Sequence, residues 1–154
     1  MPEQTFVVTR VMPAPVEHVW EVLTDLNNLS RRLGGVQAVA IMTSGPYAVG
    51  TRWRETRTFF GRSATEEMWV RSNDPLRRTV IESDQQQVHY RTVWELTEGE
   101  GTRLTMTFTG TSPDGGMTAL LSRLVGPIGL RATRKAVERD LDDFEAAAVA
   151  LRSR

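Results

Sequence analysis

Hydrophobic periodicity in this chain changes from helical to strand-like and back again, and that order restricts its folding more than any other feature. The opening segment Thr5 to Val11, Thr-Phe-Val-Val-Thr-Arg-Val, is β-branched and aromatic and suits a strand, which Met12-Pro13-Ala14-Pro15 breaks. Pro15 stands where a first helical turn accepts proline, and Val16, Val19, Trp20 and Leu23 recur at helical spacing up to Thr24-Asp25. A second short helix is expected from Leu26 to Leu33, stopped by Gly34-Gly35. From Val36 to Ser112 the period falls to two. Turn signals at Ser44-Gly45-Pro46, Gly61-Arg62, Asn73-Asp74-Pro75, Asp84-Gln85 and Gly99-Glu100-Gly101 divide this stretch into six consecutive antiparallel strands. Helical spacing then returns in Met117, Leu120, Leu121, Leu124, Val125 and Ile128, and continues in Val137, Leu141, Phe144, Ala148 and Leu151. One long helix is expected, bent at Gly126-Pro127 where proline removes a backbone donor.

Strand, two short helices, six strands and a long helix, without repeat or linker, predict an α+β architecture with its helices gathered on one face of an antiparallel sheet. At 154 residues the expectation is a single domain, 1–154, burying roughly two-thirds of the surface its unfolded form exposes.

Composition narrows the chemistry. With no cysteine, disulfides, thiolate nucleophiles and Cys-ligated metals are excluded. The two histidines, His18 and His89, are far apart and form no metal-ligand spacing, so neither a metal nor a cofactor is expected. Nineteen basic residues balance nineteen acidic ones, which leaves no global source of attraction for nucleic acid. No stretch approaches the ~20 apolar residues of a membrane span, and the N-terminus lacks a basic segment followed by an apolar one. These features predict a cytoplasmic protein without integral membrane association.

Strand parity says which side chains face inward. A three-residue loop at Gly99-Glu100-Gly101 places Leu96 opposite Leu104, Trp94 opposite Met106 and Thr92 opposite Phe108 on one apolar face. Arg103, Thr105, Thr107 and Thr109 take the other. A two-residue loop at Gly61-Arg62 would place Trp53 opposite Val70, Glu55 opposite Met68 and Arg57 opposite Glu66. Glu55, Arg57 and Glu66 then share a face with Trp53, Met68 and Val70. An Arg57–Glu66 pair is either a polar spot in an apolar cavity or an ordinary solvated cross-strand pair worth at most about 1 kcal/mol.

Trp53, Met68, Trp94, Met106 and Phe108 on the sheet, with Leu120, Leu121, Leu124 and Ile128 on the helix, are candidate ligand-lining residues. Packing on one another is the competing role. Tyr90 and Thr92 share the inward face and bring hydroxyls that, if buried, need partners and can hydrogen-bond a ligand; the competing reading has Tyr90, opposite Gly110, near the sheet end and wet. Glu55, Arg57, Glu66 and Tyr90 are the candidate acid–base set: a desolvated carboxylate as base, with Arg57 or Tyr90 stabilising an enolate. His89 falls outward by parity. The charged residues of the last helix, Arg123, Arg131, Arg134, Lys135 and Arg139 with Asp140, Asp142, Asp143 and Glu145, read as a solvated face with local pairs, or as a surface for an anionic partner.

Ala14-Pro15-Val16-Glu17-His18-Val19-Trp20-Glu21-Val22-Leu23-Thr24-Asp25 resembles the opening motif of the START-like, or SRPBCC, superfamily, in its polyketide cyclase/dehydrase and lipid-transport branch. Gly50-Thr51-Arg52-Trp53, Asn73-Asp74-Pro75-Leu76-Arg77-Arg78, Gly101-Thr102-Arg103-Leu104-Thr105 and the closing segment from Gly126-Pro127 through Asp140-Leu141 extend the resemblance over the whole chain. The resemblance implies a helix-grip (Bet v 1/START-like) fold: a seven-stranded antiparallel sheet wrapped around a long C-terminal helix, two short helices after strand 1, and an apolar cavity between sheet and helix. It also implies a hydrophobic small-molecule partner such as a lipid or polyketide. Three functions stay open: noncatalytic binding or transport of such a ligand, a polyketide aromatase/cyclase-like enzyme working in the same cavity, and a protein-interaction module with a vestigial cavity.

Overall fold

A computed structural model describes residues 3–59, 61–85, 87–111 and 127–151, with backbone only for Phe59 and residues 127–131. The elements are β1 (Glu3–Met12), α1 (Val16–Thr24), a 3-10 turn (Leu26–Asn28) leading into α2 (Leu29–Arg32), β2 (Val36–Ile41), β3 (Arg52–Phe59), β4 (Arg62–Asp74), β5 (Arg78–Gln85), β6 (Val88–Gly99), β7 (Gly101–Thr111) and α3 (Pro127–Leu151). The seven strands form one antiparallel sheet in the order β1-β7-β6-β5-β4-β3-β2. Six strands run as a meander, and β1 closes the far edge against β7.

Local sequence accounts for the elements. Pro15 caps α1 with φ −62°, the angle its ring imposes, and Val16, Val19, Val22 and Leu23 bury one helical stripe. At the other end the Thr24 hydroxyl donates to the Trp20 carbonyl at 2.9 Å. The second expected helix is divided into a 3-10 turn and a single α-helical turn. The expected residues Met117, Leu120, Leu121, Leu124 and Val125, with Arg123 and the bend at Gly126-Pro127, lie outside the described residues, and of Ile128 and Arg131 only the backbone is described.

The β6–β7 hairpin has the predicted register, with Leu96 opposite Leu104, Trp94 opposite Met106 and Thr92 opposite Phe108. Gly101 permits it twice over. Its φ is +91°, and a Cβ there would stand 2.3 Å from the Met12 carbonyl oxygen.

The β3–β4 register differs from expectation by two residues: Trp53 pairs with Met68, Glu55 with Glu66, and Arg57 with Ala64. Phe59 pairs with Arg62, so Gly61, at φ +75°, lies inside the connection rather than at its start. A shift of two preserves parity. The inner face is therefore as predicted, but Arg57 does not oppose Glu66.

The inner face packs Trp53, Val70, Trp94, Leu96, Leu104 and Met106 against Leu141, Phe144 and Ala148 of α3 and against the buried stripe of α1. Trp94 meets Phe144 edge-on, with centroids 5.8 Å apart.

Asp140 and Asp143 of α3 are not on the solvated face expected of them, and Asp142, though exposed as expected, pairs with a strand and not within the helix. Asp140 accepts from Arg57 on β3 at 2.9 Å, Asp142 pairs with Arg10 on β1, and Asp143 accepts from the Gly34 backbone N–H at 2.9 Å. Arg134, Lys135 and Arg139 are exposed, in keeping with a solvated face.

Candidate functional site

Four strands bring the polar candidates to one region of the inner face. β3 supplies Glu55 and Arg57, two residues apart and so on the same side. β4 places Glu66 directly opposite Glu55. Through Ser83, β5 links Met68 on β4 to Tyr90 on β6.

Glu55 is 5% exposed and holds two partners. The Arg57 Nε donates to its Oε2 at 2.6 Å and the Trp53 Nε1 to its Oε1 at 3.3 Å. Arg57 reaches past Glu55 to Asp140. Burial acts against the guanidinium's charge, but the two carboxylates outweigh it and hold the pKa above its ordinary value. A carboxylate committed to two donors is a poor free base, and a guanidinium shared by two carboxylates is a poor oxyanion host.

Glu66 differs from both. Burial and the charge of Glu55 raise its pKa, against a smaller opposing effect of Arg57. Beside it, Tyr90 is 5% exposed, and its hydroxyl is buried without a hydrogen-bond partner among the described residues. Burial and then the charge of Glu66 push that hydroxyl up to about 12, so it stays protonated at neutral pH. The Tyr90 ring stacks on Phe108 at 5.6 Å, and Phe108 meets Phe6 at 5.5 Å. An orphaned buried hydroxyl costs roughly 1–3 kcal/mol unless something binds it.

Trp53, Trp94 and Met106 are buried on this face, and Met68, Thr92 and Phe108 are partly buried. The helix-side candidates Leu120, Leu121 and Leu124 lie outside the described residues, and the side chain of Ile128 is not described. The Thr133 hydroxyl on α3, His18 Nδ1 and Asn73 Oδ1 are likewise buried without a hydrogen-bond partner among the described residues. Among the described residues no group of three or more His, Asp or Glu is placed to hold a metal ion.

Sequence reasoning missed Asp140. Its signal was its place in the apolar stripe of Val137, Leu141, Phe144 and Ala148, where an acid needs a partner across the core. His89 faces outward as expected, with its Nδ1 2.7 Å from Asp84 and its Nε2 3.3 Å from Glu82. Partial burial lowers its pKa, but hydrogen bonds and charge from Asp84 and Glu82 raise it further.

A seven-stranded antiparallel sheet packed on a C-terminal helix, with two short helices between its first two strands, defines the helix-grip class, the Bet v 1-like architecture. The model of one family, polyketide cyclase / dehydrase and lipid transport, matches residues 3–149, and the chain belongs to that family, within the SRPBCC superfamily. Solved structures share the fold. TTHA0849 from Thermus thermophilus is 25% identical, with TM-score 0.75, 96% of this chain covered and 99% of that one. The Zhui aromatase/cyclase from Streptomyces sp. R1128 is 20% identical, with TM-score 0.78 and coverage of 99% and 97%. The di-domain aromatase/cyclase StfQ of the steffimycin biosynthetic pathway is 16% identical, with TM-score 0.78; the match takes in 99% of this chain and 53% of that one. No curated protein matches the chain. No described helix is long and apolar enough to cross a membrane.

Proposed function

We propose that this protein binds a hydrophobic small molecule, a lipid or polyketide, on the inner face of its sheet. The observation that carries this reading is the Tyr90 hydroxyl, buried and without a partner among the described residues, on a ring stacked against Phe108, which in turn meets Phe6. Rings and adaptable Met side chains offer apolar area, and one hydroxyl with one carboxyl, Glu66, offers orientation. Trp53, Thr92, Trp94 and Met106 on the sheet belong to the proposed lining, and Leu120, Leu121, Leu124 and Ile128 are proposed for it from the sequence pattern alone. Native mass spectrometry of the purified protein is expected to find a copurifying apolar molecule. Trp94→Ala should abolish the thermal shift that this molecule produces, and an unchanged shift in the variant would remove the inner face from the function.

A second reading is favoured by one observation, the raised pKa of Glu66 beside Tyr90. In an aromatase/cyclase-like reaction Glu66 would take the proton from a carbon between two carbonyls and Tyr90 would donate to the enolate oxygen. Glu55, held by Arg57 and Trp53, would position Arg57 rather than react. Turnover of a poly-β-ketone should then fall at least about 100-fold in Glu66→Gln while the variant stays folded. Equal turnover would leave binding alone.

A further inference from the structure

The charges on the inner face have a consequence for the kind of ligand proposed above, and the inference rests on that proposal. Two cations among the described residues point from the sheet toward α3, and each is already matched by two carboxylates. Arg57 lies 2.6 Å from Glu55 and 2.9 Å from Asp140. Arg10, whose strand position opposite Leu104 puts it on the same face, pairs with Asp142 and lies 4.0 Å from Glu145. Arg62 shares their parity but is exposed at the tip of the β3–β4 connection. Asp142 and Glu145 lie toward solvent, so the covered part of the face holds Arg57 with Glu55 and Asp140, and Glu66 adds a third carboxyl there without a cation of its own.

An anionic headgroup entering this face would therefore meet no free buried cation among the described residues, and would have to leave its water for a region already acidic. What the face does offer is the hydroxyl of Tyr90, a residue 95% buried, which has no partner among the described residues and can donate to a carbonyl or hydroxyl oxygen or accept from a hydroxyl. We infer that the inner face selects uncharged apolar molecules bearing a hydroxyl or carbonyl oxygen, held at the Tyr90 hydroxyl, and rejects molecules bearing a carboxylate, sulfonate or phosphate. Free fatty acids and phospholipids are then excluded, and neutral alcohols, phenols and ketones of similar apolar size are admitted.

A matched pair of fluorescent probes tests the charge rule on the full chain at pH 7. N-phenyl-1-naphthylamine is neutral, and 8-anilinonaphthalene-1-sulfonate has the same rings with a sulfonate added. The neutral probe should bind at least about tenfold more tightly, and Glu66→Gln should narrow the gap by weakening the repulsion. Competition tests the oxygen contact: 1-dodecanol should displace the neutral probe and dodecanoate should not. Tyr90→Phe should weaken 1-dodecanol about three- to tenfold relative to dodecane, whose displacement of the probe in the same variant is the reference. Equal or tighter binding of the sulfonate probe, or displacement by dodecanoate, overturns the charge rule and leaves the binding proposal standing. An unchanged effect of 1-dodecanol relative to dodecane in Tyr90→Phe overturns the assignment of the hydroxyl. If neither probe binds and no copurifying molecule is found, the binding proposal itself falls, and this inference with it.

Discussion

At Glu66, burial and the charge of Glu55 favour the neutral acid while Arg57 favours the carboxylate, and the first two prevail. Its pKa is therefore higher in the folded chain than the ordinary 4.5, so the folded state keeps this proton to a higher pH than the unfolded state does. The stabilisation from Glu66 is fully present below its unfolded pKa and is lost as pH rises through the folded value. Glu66→Gln removes that dependence. The variant should melt above the parent at pH 7 and the difference should vanish near pH ~4; thermal melts across this range measure it, and parallel curves would mean Glu66 is an ordinary solvated carboxylate. Parity alone showed that Glu55, Arg57 and Glu66 face inward, because a side chain's face depends only on odd or even position. Their partners were not legible. Arg57 binds Glu55 along its own strand and Asp140 across the core; the helical stripe shows that Asp140 needs a partner, but local spacing does not say that the partner is Arg57, 83 positions away from 57 to 140.

Among the elements, the two hairpins show what a turn can and cannot specify from sequence. Gly99-Glu100-Gly101 offers glycine at both ends of the loop and admits one closure, and the register of β6 with β7 follows. Gly61 offers one, and either flanking residue could have shared the connection, which is how a slip of two arose there. Gly101 is also held by a distant contact that no propensity encodes, the approach of the Met12 carbonyl from β1. Gly101→Ala should cost about 2 kcal/mol or more, since it adds left-handed strain to a backbone clash. Urea denaturation should report this as a lower midpoint with unchanged slope, and a midpoint within error of the parent would mean β1 yields freely at Met12.

For the whole molecule, the acidic run of α3 ties the helix to β1 through Arg10, to β3 through Arg57, and to the entry of β2 through Gly34. The ties are unequal in strength. Glu55 and Asp140 are well buried around Arg57, so Arg57→Met leaves buried carboxylates uncompensated and should cost about 3–5 kcal/mol, a Tm loss of roughly 10 °C or more in a chain of this size. Asp142 is largely exposed, and Arg10→Met should cost no more than about 1 kcal/mol. Calorimetry that found the two variants equal would refute this ranking. The order of the sheet bears on how the chain is made. Phe6 pairs with Phe108, 102 positions later, and a ribosome adding about 5–20 residues per second needs about 5–20 s to make the partner. The meander can close hairpin by hairpin as it emerges, whereas β1, synthesised first, must wait for β7, synthesised last of the strands. Through most of translation the nascent chain therefore carries an unpaired apolar strand, the kind of segment that holdase chaperones bind and that premature termination would leave exposed.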